Sequence, residues 1–153
     1  MKPLIVLIST FVICLVVTYF MQGAANMDVS GRIAMSAMLL LTAIGHFKFM
    51  KGMTMMMPPF IPAKKQVVIA TGFLEIAAAI GLLIPSIIKI TGILLIIFFV
   101  LILPANIYAA TKKVNLEKAD YTGSGITYLW FRIPEQIFFI AWIYWFTIKP
   151  AFV

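Results

Sequence analysis

Five long apolar runs take up most of this 153-residue chain, and they restrict its fold more than any other feature. They cover residues of about 3–22, 32–47, 66–84, 86–110 and 132–148, and charged residues stand near their ends. A helix needs about 20 mostly apolar residues to cross a bilayer, so the runs predict five transmembrane helices. Hydrophobic residues make up 63% of the chain and charged residues 11%, against about 45–50% and about 25% in soluble domains. We therefore predict an all-α, polytopic membrane helix bundle that forms a single membrane domain over residues 1–153.

The first run, PLIVLISTFVICLVVTYFM, has features of a signal peptide as well as of a membrane span. Lys2 precedes it, and the small residues Gly23, Ala24 and Ala25 follow it. Its apolar stretch of about 18 residues is longer than the roughly 7–15-residue core of a signal peptide. We therefore expect it to be retained as a transmembrane helix.

The basic residues are divided unequally between the two ends of the predicted helices. Five spans place nine of them on the side of the N-terminus and three on the other side. The nine are Lys2, Lys48, Lys51, Lys64, Lys65, Lys112, Lys113, Lys118 and Arg132, and the three are Arg32, Lys89 and Lys149. Because basic loops stay in the cytoplasm, this predicts a cytoplasmic N-terminus and a periplasmic or extracellular C-terminus. In so apolar a chain, the net charge of +7 favours contact with anionic lipid and argues against nucleic acid as a partner.

The cysteine and histidine content restricts the redox groups that the chain can hold. Cys14 is the single cysteine and His46 the single histidine. An iron–sulfur cluster needs several cysteines, and covalent haem attachment needs a CxxCH motif that is absent. We therefore predict no covalently bound cofactor. Any electron carrier is bound noncovalently, a quinone being the candidate, or belongs to a redox protein partner.

Polar side chains of the last four runs fall at similar depths in the predicted cytoplasmic half of the membrane. His46 lies fourteen residues after Arg32, which is about 21 Å into a core of about 30 Å, and Glu75 lies about 14 Å beyond Gln66. Pro104 leaves the Val100 carbonyl without its helical donor, which predicts an exposed acceptor nearby. We call this set of side chains the polar layer; its members are His46, Thr71, Glu75, Asn106, Arg132, Glu135 and Gln136.

An ionisable residue inside a membrane usually faces the bundle interior and has a partner there. The polar layer therefore predicts a pocket whose ligand-binding residues are His46, Thr71, Glu75, Asn106, Arg132 and Gln136. Simpler structural roles explain the same residues. His46 can bond to a backbone carbonyl or to Glu75, Glu75 can be satisfied by Thr71 or Arg132, and Arg132 can extend to a lipid phosphate. Catalytic residues are not identified, and whether the chain is an enzyme is left open.

The methionines next to His46 raise the question of a metal site. Met53, Met55, Met56 and Met57 lie close together, and thioethers are ligands for Cu(I). No cysteine or second histidine joins them, however, and methionine is also an adaptable apolar filler. We predict no metal site, and interpret the segment from Met53 to Pro62 as an interfacial plug above the polar layer.

Five short motifs in the chain resemble those of the DoxX-like family of small bacterial membrane proteins. They are GHF (45–47), MPP (57–59), TGFLE (71–75), PANIY (104–108) and RIPEQ (132–136), and the resemblance runs from about residue 32 to residue 147. It departs from the family where Thr71 stands in place of the more usual serine. The resemblance implies a four-helix unit, to which the first span is an extra N-terminal helix, in a bacterial inner membrane. The family takes its name from the membrane subunit of a thiosulfate:quinone oxidoreductase, so the resemblance also implies a quinone-linked redox context.

Three functions fit these observations. The first is a subunit or accessory of a quinone-linked redox system that binds a small amphipathic ligand in the polar layer. The second is a transporter or lipid-binding protein with the same pocket and no chemistry. The third is a structural or chaperone-like partner of another membrane protein, in which the polar layer holds helices together. The lipid bilayer is a partner in all three, and self-association into a homo-oligomer is left open.

Overall fold

The computed structural model describes residues 2–149, in which helices are joined by turns and loops and no strand is present. Two predictions, the ends of the domain at residues 1 and 153 and the location of the C-terminus, lie outside the described residues. The all-α prediction is confirmed. The described residues form six α-helices: α1 (Lys2–Gln22), α2 (Met27–Lys48), α3 (Met50–Met55), α4 (Lys64–Gly81), α5 (Ile88–Thr111) and α6 (Thr127–Ile143). A 3₁₀ turn, Pro85–Ile87, precedes α5, and a π-helical stretch, Tyr144–Ile148, continues α6.

Three helical segments between residues 2 and 149 are long and apolar enough to cross a membrane, as a membrane protein requires. They are Lys2–Met21, Met27–Lys48 and Pro85–Thr111. The helix α4 has 18 residues but carries Lys64, Lys65 and Glu75, and α6 has 17 residues before the π-helical stretch continues it. Three of the five predicted spans thus have the length and composition of membrane helices. Membrane crossing by α4 and α6 stays a prediction.

Two helices begin earlier than the apolar runs predicted. The helix α2 begins at Met27, five residues before the apolar run, and the start of the membrane span near residue 32 stays a prediction. The side chain of Asn26 accepts a hydrogen bond from the Val29 amide at 3.1 Å, which caps the exposed N–H groups of the first turn. In the same way α6 begins at Thr127, ahead of the predicted residue 132. Hydropathy marks where a helix becomes apolar, whereas hydrogen bonding decides where it starts.

The helix α2 lies at the centre of the bundle and packs against α1, α4 and the end of α6. The Ser36 hydroxyl donates to the Ala79 carbonyl of α4 at 2.8 Å, and the Trp142 indole N–H donates to the Gly31 carbonyl at 3.0 Å. The ring of Phe146 packs so closely on Gly31 that a Cβ there would overlap it. These contacts put the start of α2 and the end of α6 at the same end of the bundle. The core consists of Leu7, Ala34, Met35, Met38, Leu39, Ala79, Leu82, Leu95, Phe99, Phe139 and Ile143.

The opposite end of the bundle is closed by α3 and by the loop of residues 112–126. A Cβ on Gly52 of α3 would overlap the carbonyl oxygen of Leu116 in this loop, so the two backbones are in direct contact. Lys2, at the start of α1, forms a 2.6 Å ion pair with Glu117 of the loop. Hydrogen bonds from Thr122 hold the pKa of Asp120 below its usual value and support the loop from within. The N-terminus of α1 and the loops beyond α2 and α5 therefore share one end.

Candidate functional site

His46 of α2 and Glu75 of α4 form a side-chain pair between neighbouring helices. His46 Nδ1 lies 3.2 Å from Glu75 Oε2, and only 4% of the Glu75 surface is exposed. Gly72, nearly one turn before Glu75, allows this approach, because a Cβ at that position would lie 3.0 Å from His46 Cβ. Small residues at a contact let membrane helices come close enough for such side-chain pairs. The sequence TGFLE thus supplies both the small residue and the acid of the pair.

The hydrogen bonding of His46 fixes which ring nitrogen carries a hydrogen. Nδ1 also lies 3.0 Å from the carbonyl oxygen of Thr42. An unprotonated nitrogen would be repelled by that oxygen, so Nδ1 is the N–H nitrogen. Its one hydrogen faces two acceptors, and Glu75 Oε2 has no well-aligned hydrogen bond of its own. With Nδ1 holding its hydrogen, Nε2 is the nitrogen that takes up or releases a proton.

Asn106 and Gln136 link α5 to α6. The Gln136 amide nitrogen donates to the Phe99 carbonyl of α5, and Asn106 Nδ2 donates to Gln136 Oε1 at 3.4 Å. Asn106 is 4% exposed and Gln136 6%. Phe99 lies five residues before Pro104, in the part of α5 that the proline deprives of a backbone donor. The sequence predicted an exposed acceptor at Val100, and the adjacent carbonyl is the one that Gln136 contacts.

Arg132 is paired with Glu135 of the same helix, not with Glu75. Arg132 Nη1 donates to Glu135 Oε2 at 2.8 Å, and the Glu135 side chain is 1% exposed. Arg132 Nε and Glu135 Oε1 are both buried without a hydrogen-bond partner. The interpretation of Arg132 as a partner of Glu75 is therefore wrong, because an acid one turn away on α6 takes its guanidinium. The ion pair leaves one donor and one acceptor unused inside the protein.

Thr71 forms no hydrogen bond with Glu75 either. Its hydroxyl donates to the Val68 carbonyl of its own helix at 2.9 Å, which is a common arrangement for threonine inside a helix. The polar layer thus consists of two groups among residues 2–149, the His46–Glu75 pair on α2 and α4 and a second group on α5 and α6. No hydrogen bond or ion pair of the described residues joins the two groups. The convergence of all of them on one ligand stays a prediction.

The described part of the chain has a small cavity beside Gln136 and a larger one at the far end of the bundle. One of about 60 Å³ adjoins Gln136, with Phe99, Val100, Leu103, Ile133, Ile137 and Ile140 as its other lining residues. This is room for about two water molecules at about 30 Å³ each. The other, of about 400 Å³, lies at the far end of the bundle, where Arg32, Val29 and Ile33 face Leu82, Leu83, Pro85 and Ile88. We call it the Arg32 cleft. Sequence reasoning missed it, although Arg32 was a signal, since it is a cation among apolar residues at a membrane boundary.

No three histidine, cysteine, aspartate or glutamate side chains of the described part of the chain come together as metal ligands would. The polar layer brings two buried carboxyl groups, an imidazole and a guanidinium into the bundle, and these groups can form hydrogen bonds and exchange protons. Proton exchange needs a group that can gain or lose a hydrogen within hydrogen-bond reach of its target.

Comparison with known proteins gives a family without an assigned role. Searches of the curated proteins and of the solved structures found no match to the chain. A family profile described as a domain of unknown function, DUF8561, matches residues 35–147. The matched segment starts within α2 and ends in the π-helical stretch, so it contains all of the polar layer and leaves α1 outside. Because the match takes in most of the 153 residues, the chain belongs to the DUF8561 family.

Proposed function

We propose that the chain is a membrane subunit or accessory of a quinone-linked redox system, and that its polar layer binds the quinone headgroup. The observation that carries the proposal is the distribution of buried polar atoms without a hydrogen-bond partner. Among the described residues these atoms are Ser30 Oγ, Glu75 Oε2, Arg132 Nε and Glu135 Oε1, and three of the four belong to the polar layer. Glu75 Oε2 lies 3.2 Å from His46 Nδ1, but the contact is not aligned as a hydrogen bond. Folded proteins leave few buried polar atoms unpartnered, and each one calls for an explanation, such as a bound water or ion or a functional role.

The unpartnered atoms match the needs of a quinone headgroup. A quinone carbonyl accepts hydrogen bonds, for which Arg132 is a donor, and a quinol hydroxyl donates them, for which Glu75 and Glu135 are acceptors. Reduction of a quinone to a quinol takes up two electrons and two protons. The chain's part would be the protons, passed through His46 Nε2 and the two carboxylates. The electrons would come from a redox protein partner.

The resemblance to the DoxX-like family supports the same proposal from the sequence alone. The five motifs that carry it include His46, Glu75, Asn106, Arg132 and Gln136, and they lie on α2, α4, α5 and α6. We infer that these four helices form the DoxX-like unit and that α1 is an addition to it. We also infer a bacterial inner membrane, with the N-terminus in the cytoplasm and the C-terminus on the other side.

One observation favours a structural role as the second candidate function. The hydrogen bonds of Asn106, Gln136, Arg132 and Glu135 stay within α5 and α6, as expected for a polar clasp between two membrane helices. The 60 Å³ cavity beside Gln136 is also smaller than a quinone headgroup site. Under this reading the chain supports a partner membrane protein, and no small molecule binds at the layer.

Binding of a short-chain ubiquinol, kept reduced under anaerobic conditions, to the protein in nanodiscs separates the two functions, because the quinol hydroxyl is the group that a Glu75 carboxylate would accept from. Calorimetric titration, corrected with empty nanodiscs, should give saturable binding to the wild-type protein. Glu75→Gln keeps the shape of the side chain and removes its charge, and should weaken binding about tenfold, since a hydrogen bond to a charged group contributes about 1.5–3 kcal/mol. Asp28→Asn, a loss of one acid at the other end of the bundle, is the matched control and should bind like the wild type. Equal binding by all three proteins, or no saturable binding by any of them, would contradict quinone binding at the polar layer. The structural role would then be the better supported function.

A further inference from the structure

We infer that the Arg32 cleft is a binding site for an anionic phospholipid, with the phosphate on Arg32 and part of an acyl chain along the apolar walls. The cleft is separate from the polar layer, because it lies between the second turn of α2 and the connection from α4 to α5. The inference does not depend on the proposed quinone function.

Charge is the first argument for an anionic occupant. Arg32 is only partly buried and lines the cleft, yet it has no hydrogen bond, ion pair or ring contact to any residue between 2 and 149. Asp28, one turn earlier on the same helix, makes no ion pair with it. A guanidinium presents a planar fork of N–H donors that matches a phosphate. Arg32 is thus a cation beside a cavity, with its donors available to an anion.

The size and lining of the cleft argue for an amphiphile and against a free ion. Its volume of about 400 Å³ equals that of about thirteen water molecules and lies in the range of roughly 300–1,000 Å³ found for small-molecule sites. Apart from Arg32, its walls are apolar, with Val29 and Ile33 on one side and Leu82, Leu83 and Pro85 on the other. Inorganic phosphate would leave most of these walls uncovered, whereas an acyl chain covers them.

The depth of the cleft agrees with a lipid headgroup. Arg32 lies five residues into α2, which places it about 7–8 Å from the start of the helix. The helix has 22 residues and so measures about 33 Å, slightly more than the hydrocarbon core of about 30 Å. A helix of this length centred on the core places the Arg32 backbone about 6 Å inside the hydrocarbon boundary, from which its long side chain reaches the level of the lipid phosphates. A cation near the middle of the bilayer would not reach them.

Native mass spectrometry of the full-length protein tests the inference. The protein is titrated with phosphatidylglycerol and, separately, with phosphatidylcholine of the same acyl chains. Phosphatidylglycerol should be retained preferentially, and Arg32→Gln should reduce its apparent affinity about tenfold relative to phosphatidylcholine, because a charge-assisted contact is lost. Lys149→Gln is the matched control. Lys149 is a basic residue at the same end of the bundle, lies over the Trp145 ring at 3.5 Å and does not line the cleft. The control variant should keep the preference.

Two further arms keep the inference open to refutation. Leu83→Trp fills the cleft without changing charge and should reduce retention of phosphatidylglycerol even if Arg32→Gln folds poorly. Inorganic phosphate at millimolar concentration should not displace the lipid. Equal retention of the two lipids by the wild-type protein would overturn the inference, as would an undiminished preference in Arg32→Gln or in Leu83→Trp. Displacement by inorganic phosphate would show an anion site without lipid specificity, and would overturn it as well.

Discussion

Replacing Gln136 by leucine tests the link between α5 and α6 most simply. Leucine is close to glutamine in size but can neither donate to the Phe99 carbonyl nor accept from Asn106, so both interhelical bonds are lost. Asn106, which is 4% exposed, is left with no side-chain partner among the described residues. The variant should therefore fold less stably than the wild type.

The expected loss follows from the two bonds. Interhelical side-chain hydrogen bonds in membrane proteins contribute about 0.6 kcal/mol on average and at most about 1.7 kcal/mol. The bond from Asn106 is long at 3.4 Å, so we assign it the smaller share. Together with the unpaired Asn106 amide, the free energy of unfolding should fall by about 1–2 kcal/mol. Asn106→Leu removes only the longer bond and should cost less than Gln136→Leu.

Equilibrium unfolding in mixed micelles with increasing dodecyl sulfate, followed by circular dichroism, measures these differences. Ile137→Leu is the control, because Ile137 is 61% exposed on the outside of the bundle. This substitution should change the free energy of unfolding by no more than about 0.5 kcal/mol. The double variant of Asn106 and Gln136 should show a coupling energy of about 0.5 kcal/mol. Full additivity, or a Gln136→Leu variant as stable as the wild type, would refute the reasoning from hydrogen bonds.

Three other predictions concern topology, packing and the methionines. In a cysteine-free background, a cysteine at Ser86 should react with a membrane-impermeant maleimide added outside the cell and a cysteine at Ser124 should not; the reverse pattern would invert the orientation. Gly52→Ala should lower stability in the same unfolding assay by about 1–3 kcal/mol, because its methyl group would overlap a carbonyl of the facing loop; an unchanged stability would show that the loop moves away freely. Replacing Met55 and Met56 by leucine should cost less than about 1.5 kcal/mol and leave any Cu(I) binding unchanged, and loss of stoichiometric Cu(I) binding in this variant would reveal a metal site.

Much of the fold is predictable from the apolar runs, because helices that cross a membrane must satisfy their backbone groups within themselves. The helix starts are less predictable. The helix α2 begins at Met27, five residues before the apolar run, and the capping role of Asn26 depends on a local hydrogen bond that hydropathy does not report. It was nevertheless visible in principle, since asparagine followed by an acidic first turn is a helix start signal.

The partners within the polar layer are harder to predict than its depth. Depth follows from counting residues, but rotation of a helix about its axis is set by packing with its neighbours. The contact between Gly72 and His46 turns Glu75 toward α2, whereas Glu135 takes Arg132 within α6. The Arg32 cleft could not be predicted from the sequence, because the residues on its two sides are about fifty positions apart in the chain. Only the packing of the helices brings them together.

The central claim is that the buried carboxyl groups of the polar layer respond to a bound quinone. Redox-induced infrared difference spectroscopy measures this directly in nanodiscs loaded with a short-chain ubiquinone. Reduction of the quinone should change a signal in the carboxyl stretching region, and that change should be diminished in Glu75→Gln, where Glu135 alone still responds, and kept in full in Asp28→Asn. A spectrum in which the carboxyl region does not respond to quinone reduction, or responds equally in Glu75→Gln, would contradict the account and leave the polar layer as a helix clasp.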